Sequence, residues 1–425
     1  MICPPIIKES SMETQNNKEN AELENWKIKN RDIVVVGIQA WDLTIGSNCK
    51  NIALELAKDN RVLYVNQPMD RYSRKKEKNT DKIIRRENVL KGIEPDLEEV
   101  SPNIWVLNPT TILESINRIP FAPVYNLMNR LNTRRFSSRI YSAIERLGFR
   151  DYILFNDSSM FMGVHLKEML RPDKYIYYIR DNLVKNKYWA KHGVRMEPIT
   201  IKKADLVTTN SIYYANYAKK FNKNSFMVGQ GCDVSLFNDE NNEMTVAEEL
   251  TDIPGPIIGY VGFLTSRRLN IDLILHIATE KPDWSIVLVG PEDDVFKRSS
   301  LHKLKNVFFM GNREAELLPT FIKGFDVCIN PQIVNDATIG NYPRKIDEYL
   351  AMGKPAIATW TEAMEYFRDF CYLGKTKEDY IELIEKALSE NTPALQKARR
   401  EYAINHSWEN NVLEIGKALK TVINS

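Results

Sequence analysis

A chain of 425 residues is two to three times the usual ~150 residues of one domain, which predicts two domains, each large enough for its own core. Hydrophobic residues make up 43% and charged residues 27%, as in ordinary globular proteins, and a formal net charge of +2 excludes a nucleic-acid polycation. Five scattered cysteines without a C-x-x-C pair fit neither a zinc site nor a disulfide framework, so a cytoplasmic setting is expected, and no apolar stretch approaches the ~18–20 residues that span a bilayer.

Residues 1–30 are rich in Glu, Asn and Lys and are expected to be loose. Asp32-Ile33-Val34-Val35-Val36-Gly37 is a β-branched run closed by glycine, which predicts a buried parallel strand. A loop through Trp41, Asp42 and Gly46 leads to a helix over 51–58 and a second strand over 61–66, completing a βαβ unit. Strands are predicted again over 152–155, 175–179, 206–209 and 226–228. Residues 239–249 are acidic and polar and Pro254-Gly255-Pro256 follows, so the linker between domains is placed over 239–256. The plan then repeats, with strands over 257–261, 285–289, 307–310, 327–330 and 356–359 and helices over 271–279, 317–323 and 343–352. The chain reads as α/β, with Rossmann-like domains over 31–238 and 257–395 whose parallel sheets face a central cleft. Ligands then sit in the cleft at the carboxyl ends of the strands.

Two basic stretches interrupt this pattern, 71–91 and 118–150, the second interleaving arginines with Phe121, Tyr125, Leu127, Leu131 and Tyr141. They read either as solvated faces of ordinary helices or as a basic aromatic surface for anionic lipid at the inner face of a membrane.

The strongest local signal runs over 341–359. The loop before Pro343 offers free amides at a helix N-terminus, a geometry that binds phosphate. Lys345 and Glu348 lie three apart, hence on one face, where a cation meets a diphosphate and a carboxylate accepts sugar or ribose hydroxyls. Asp181 ends a strand and can take a proton from an acceptor hydroxyl, or cap the next helix. Arg180 beside it can bind a phosphate of donor or acceptor, while Trp41 and Asp42 either contact the acceptor or close their loop. No D-x-D triplet, P-loop or G-x-G-x-x-G occurs, so no metal is required and nucleotide hydrolysis and nicotinamide chemistry are poor alternatives.

Pro343-Arg344-Lys345-Ile346-Asp347-Glu348-Tyr349-Leu350-Ala351-Met352-Gly353-Lys354-Pro355 resembles the P-x-K-x-x-E-Y-L-A-x-G-K-P signature of GT-B glycosyltransferases similar to family 4 and its relatives. The segments from Gly259, Trp284, Asn306, Glu316 and Asp326, and more weakly those from Lys203 and Gly229, follow the order seen in those enzymes. The resemblance implies a GT-B fold and transfer of a sugar from a nucleotide-sugar, a substrate rather than a cofactor, to a glycan or lipid-linked sugar in surface polysaccharide biosynthesis. It implies that Glu348 holds the ribose, that Arg267 or Arg268 with Lys345 neutralises the diphosphate, and that Gly311 and Asn312 line the base. Gly262 lets its loop approach the phosphates. It also implies that 396–425 ends in a helix crossing back onto the first domain. The sequence departs from the pattern where Gly340 replaces the first of two paired glutamates, leaving Asp336 as a substitute, and at Phe263, Leu269 and Asn182. A sugar-nucleotide epimerase of the same architecture and a catalytically silent nucleotide-sugar-binding partner are the alternatives.

Overall fold

The computed structural model describes residues 24–42, 47–77, 80–239 and 243–423; Gly46, Lys78 and the first 23 residues lie outside the described residues. The first domain is built on β1 (Asp32–Gly37), β2 (Arg61–Val65), β3 (Met69–Asp70), β4 (Leu97–Ser101), β5 (Ile104–Leu107), β6 (Ile112–Leu113), β7 (Ile153–Asp157), β8 (Lys174–Ile179), β9 (Leu206–Thr209) and β10 (Ser225–Met227). Its main sheet runs β10-β9-β8-β7-β1-β2-β5-β4, parallel except where β4 pairs antiparallel with β5, and β3 pairs with β6 apart from it. The second domain holds β11 (Ile257–Val261), β12 (Ser285–Val289), β13 (Val307–Gly311), β14 (Val327–Asn330), β15 (Ala356–Thr359) and β16 (Cys371–Gly374), ordered β13-β12-β11-β14-β15-β16 and parallel throughout. Among the parallel strands each order reverses once, at β1/β7 and at β11/β14. Ligands of doubly wound sheets bind beside such switch points.

Helices cover both faces. The first domain carries α1 (Asn48–Leu56), α2 (Arg71–Lys76), α3 (Asp81–Leu90), α4 (Ala122–Leu147), α5 (Met160–Leu170), α6 (Lys187–Lys203) and α7 (Ile212–Lys219). The second carries α8 (Ile271–Glu280), α9 (Leu318–Gly324), α10 (Arg344–Ala351), α11 (Lys377–Glu390) and α12 (Pro393–Ile404), and α13 (Trp408–Ile423) follows. The wholly buried β1 and β2 residues alternate between two core clusters, Val34 and Leu63 facing one and Val35 and Tyr64 the other. No helix of the described residues is long and apolar enough to cross a membrane.

Three expectations on chain organisation are corrected. Residues 24–30 are packed rather than loose: the Trp26 carbonyl lies where a side chain on Gly416 would go, and Asn60 Nδ2 donates to the Ile28 carbonyl. The described part of 239–256 is not a free tether, because Ala247 and Leu250 belong to the core of the second domain and Lys323 Nζ pairs with Asp239 Oδ2 at 2.7 Å. Helix α10 begins at Arg344, with Pro343 as its cap at φ −88°.

The chain crosses between domains twice, and the crossings interlock. The Cys232 amide donates to the His406 carbonyl at 2.7 Å, and a Cβ on Gly231 would meet the Trp408 ring at 2.3 Å. Helix α13 then lies on the first domain, with Ile415 and Leu419 in the cluster that contains Val35 and Phe155.

Candidate active site

On the first domain the switch point presents three charged side chains. Asp157, at the end of β7, is wholly buried and receives Arg180 Nε at 2.9 Å and Nη2 at 3.4 Å. Arg180 Nη1 also donates to Asp181 Oδ2 at 3.1 Å. Burial opposes the Arg180 charge, but the two carboxylates hold its pKa above the ordinary value. Arg180 is therefore committed to fixing Asp181 rather than free to take a phosphate. Asp181 caps nothing with its carboxyl: the following short turn starts at Asn182 without a side-chain cap. Its pKa is raised, first by burial in the cleft and with the Asp157 charge adding, against the pull of Arg180 and of Arg268. Arg268 belongs to the second domain, so its charge acts on Asp181 from across the cleft.

Replacing Arg180 by Met leaves Asp157 buried and uncompensated, which is expected to cost about 3–5 kcal/mol of stability. Urea unfolding checks this; a cost under about 1 kcal/mol means that water takes the place of the guanidinium beside Asp157.

On the second domain, Gly262 follows β11 at φ +137° and Gly290 follows β12 at φ +143°. A Cβ on Gly290 would stand 2.0 Å from the Gly262 carbonyl, so the two loops touch backbone to backbone. Lys345 reaches this loop: its Nζ would be 3.3 Å from a Cβ on Gly262 and lies over the Tyr260 ring at 5.0 Å. No side chain caps α10; its Ile346 amide donates to the Pro343 carbonyl at 2.9 Å, which leaves the amides of Arg344 and Lys345 to a ligand. Glu348, one turn further, has its pKa raised by burial against the charges of Arg344 and Lys345. Arg344 Nη2 stands 3.9 Å from its carboxylate, beyond hydrogen-bond reach. Arg267 and Arg268 are exposed beside the same loop, and Gly311 (φ +68°) and Asn312 are exposed after β13.

Other candidates lie elsewhere or are already engaged. Asp42 is held by Arg86 Nη2 at 3.3 Å and Arg85 Nη1 at 3.8 Å, and the Trp41 amide donates to Asn66 Oδ1, so both close their loop. Asp336 is 76% exposed, pairs with Lys185 Nζ at 2.7 Å and gives its carbonyl to Asn182 Nδ2, so it belongs to the seam between domains. Most arginines of the first basic stretch also have partners: Arg71 with Glu114, Arg74 with Glu87, and Arg85 with Glu94 and Glu98. A cavity of about 1320 Å³ lined by Arg130, Arg134, Tyr141 and Arg171 opens beside the starts of β7 and β8, away from the cleft. Among the described residues no group of His, Cys, Asp and Glu converges as a metal-binding set.

Gly340 shows why no glutamate stands there. A Cβ would meet Tyr213 Cδ1 at 2.5 Å and Tyr214 Cζ at 2.7 Å, and Ser211 Oγ donates to the Gly340 carbonyl at 2.8 Å. The two tyrosines of α7 fill the space that a side chain would need. Asp157 is a site residue that the sequence analysis does not single out; the available signal is an acid closing a buried strand. Gly340→Ala forces this seam apart at about 1–3 kcal/mol. A larger radius of gyration by small-angle scattering is expected; an unchanged one means that the rings swing aside.

The family model described as glycosyl transferases group 1 matches residues 255–389. A Bacillus subtilis protein named as a teichuronic acid biosynthesis glycosyltransferase is 28% identical over 220 residues, 49% of this chain and 55% of that protein, so the match spans about half of the relative. Among solved structures, a sucrose-phosphate synthase from Thermosynechococcus elongatus superposes with a TM-score of 0.62 at 17% identity, covering 93% of this chain and 100% of that one. Anabaena HepE in complex with UDP gives 0.63 at 14% identity, covering 92% and 100%. Residues 255–389 thus match the glycosyl transferases group 1 model and lie in the second half of a two-domain GT-B fold.

Proposed function

We propose that the protein is a glycosyltransferase that moves a sugar from a nucleotide-sugar onto a glycan or lipid-linked acceptor during surface polysaccharide assembly. One observation carries this reading: the second domain, whose helix α10 bears Lys345 and Glu348 with no side-chain cap, also sends the charge of Arg268 to Asp181 of the first. In the proposed reaction Glu348 accepts hydrogen bonds from the ribose, while Lys345, Arg268 and the α10 amides hold the diphosphate. The acceptor oxygen bonds to the anomeric carbon as the anomeric C–O bond to the diphosphate breaks, and the bonding pair leaves with the nucleotide. Asp181 takes the acceptor proton. The cations and amides stabilise the leaving diphosphate without calling for a metal. The polysaccharide assignment draws on the teichuronic acid role in the name of the Bacillus relative, and a uridine nucleotide on the UDP and UDP-glucose complexes of HepE.

The exposed Phe121, Val124 and Leu127 of α4 and its preceding turn, with Arg130 and Arg134 beside them, support work at the anionic inner face of a membrane. Thermal shift against UDP-, GDP-, ADP- and dTDP-sugars tests the donor half; saturation at ~100 times the dissociation constant adds roughly 2.7 kcal/mol. Nucleotide release only in the presence of acceptor separates a transferase from an epimerase or a silent partner. No stabilisation by any nucleotide-sugar overturns the reading.

A further inference from the structure

A cavity of about 610 Å³ opens on the cleft side of the first domain, and nothing in the donor chemistry uses it. Ile38 and Ser159 line it, one residue past β1 and two past β7, so it reaches the switch point where Arg180 and Asp157 position Asp181. Its volume lies in the range of organic-ligand sites.

Its walls differ in chemistry. One is aromatic: Phe161 stacks on Trp189 at 5.0 Å, stands edge-on to Tyr188 and Tyr125 at 6.4 Å each, and Tyr125 is backed by His192 at 3.5 Å. The other is cationic, with Lys82, Arg86 and Arg118. Arg86 is 3% exposed and spends Nη1 on Asn108 and Nη2 on Asp42, yet its Nε has no hydrogen-bond partner. That nitrogen is closed off from solvent as well, so Arg86 acts on the cavity through its charge rather than by donating into it. Two lining carboxylates are already committed, Asp70 to the first amides of α2 and Glu114 to Arg71 and Arg135, which leaves Glu77.

We propose that this cavity holds the non-sugar end of the acceptor, an aliphatic chain joined to the sugar through a phosphate. The proposal rests on the transferase reading above and adds the acceptor's class. The chain lies against Tyr125, Phe161, Tyr188 and Trp189, the phosphate meets Lys82 and Arg118 in the field of the buried Arg86, and the sugar hydroxyl points toward Asp181.

Calorimetry with dodecyl phosphate below its micelle concentration tests this, with inorganic phosphate and dodecyl maltoside as the two half-ligands. Saturable one-to-one binding is expected for dodecyl phosphate, roughly 10-fold weaker in the surface variants Lys82→Ala/Arg118→Ala and Tyr188→Ala. UDP-glucose stabilisation should be equal in all three proteins, which also reports that the variants fold. Binding of inorganic phosphate or dodecyl maltoside as tight as that of dodecyl phosphate, or equal affinity in the variants, overturns the proposal. A wild type stabilised by UDP-glucose yet blind to dodecyl phosphate overturns the cavity's role and leaves the transferase standing. One that takes dodecyl phosphate but no nucleotide-sugar removes the acceptor role along with the transferase.

Discussion

Asp181→Asn is expected to lower turnover by about 10²–10⁴-fold, the range for losing a positioned general base. Nucleotide-sugar binding should change little, because the ribose and diphosphate are assigned to α10 and its loop. The amide keeps the size of the carboxyl and can still meet Arg180, whose second partner Asp157 remains in place. The pH profile carries a second signature. The Asp181 pKa is raised, chiefly by burial, and only the ionised form accepts a proton. Activity should therefore fall as pH drops through a value above the usual aspartate range, and this acid limb should vanish in the variant. A variant within about 3-fold of wild type, with the limb intact, would assign the base elsewhere.

Glu348→Gln is the second large effect. A carboxylate that accepts two ribose hydroxyls contributes about 2–4 kcal/mol, so kcat/KM should fall roughly 30- to 1000-fold, with thermal stabilisation by the donor reduced in step. Burial leads the causes that raise the Glu348 pKa, so donor affinity in the wild type should weaken as pH falls through that raised value. Glutamine carries no titrating group, and its weaker binding should be flat across that window. Unchanged donor affinity in the variant would free Glu348 from the ribose and leave the phosphate contacts as the anchor.

Most of the scaffold was legible because buried parallel strands announce themselves. The predicted runs over 206–209, 257–261, 285–289, 327–330 and 356–359 coincide with β9, β11, β12, β14 and β15. Strands with half-exposed residues escaped notice: β4 is Leu-Glu-Glu-Val-Ser, and at the edge of a sheet its charges read as loop. Glu348 and Lys345 stood out because one helix turn brings them together. What links Asp181 to its surroundings is spread across the chain, with Asp157 23 residues before Arg180 and Arg268 in the other domain. Spacing along a sequence carries no signal for such pairs. Gly340 looked like a lost carboxylate; only the packing of Tyr213 and Tyr214 gave the glycine a cause. The basic stretches were visible as charge, but their acidic partners were local only in space.

The return of α13 onto the first domain has a consequence for biosynthesis. All strands of the first sheet have left the ribosome once Met227 has, yet Ile415 and Leu419 complete the apolar layer over Val35, Tyr64 and Phe155. Between residue 238 and residue 408 the translating chain holds a finished sheet with one face covered by α1 but not yet by α13, for about 10–30 s at roughly 5–20 residues per second. During that interval the nascent first domain is a natural client for holding chaperones, and release comes with the lid that the last helix supplies.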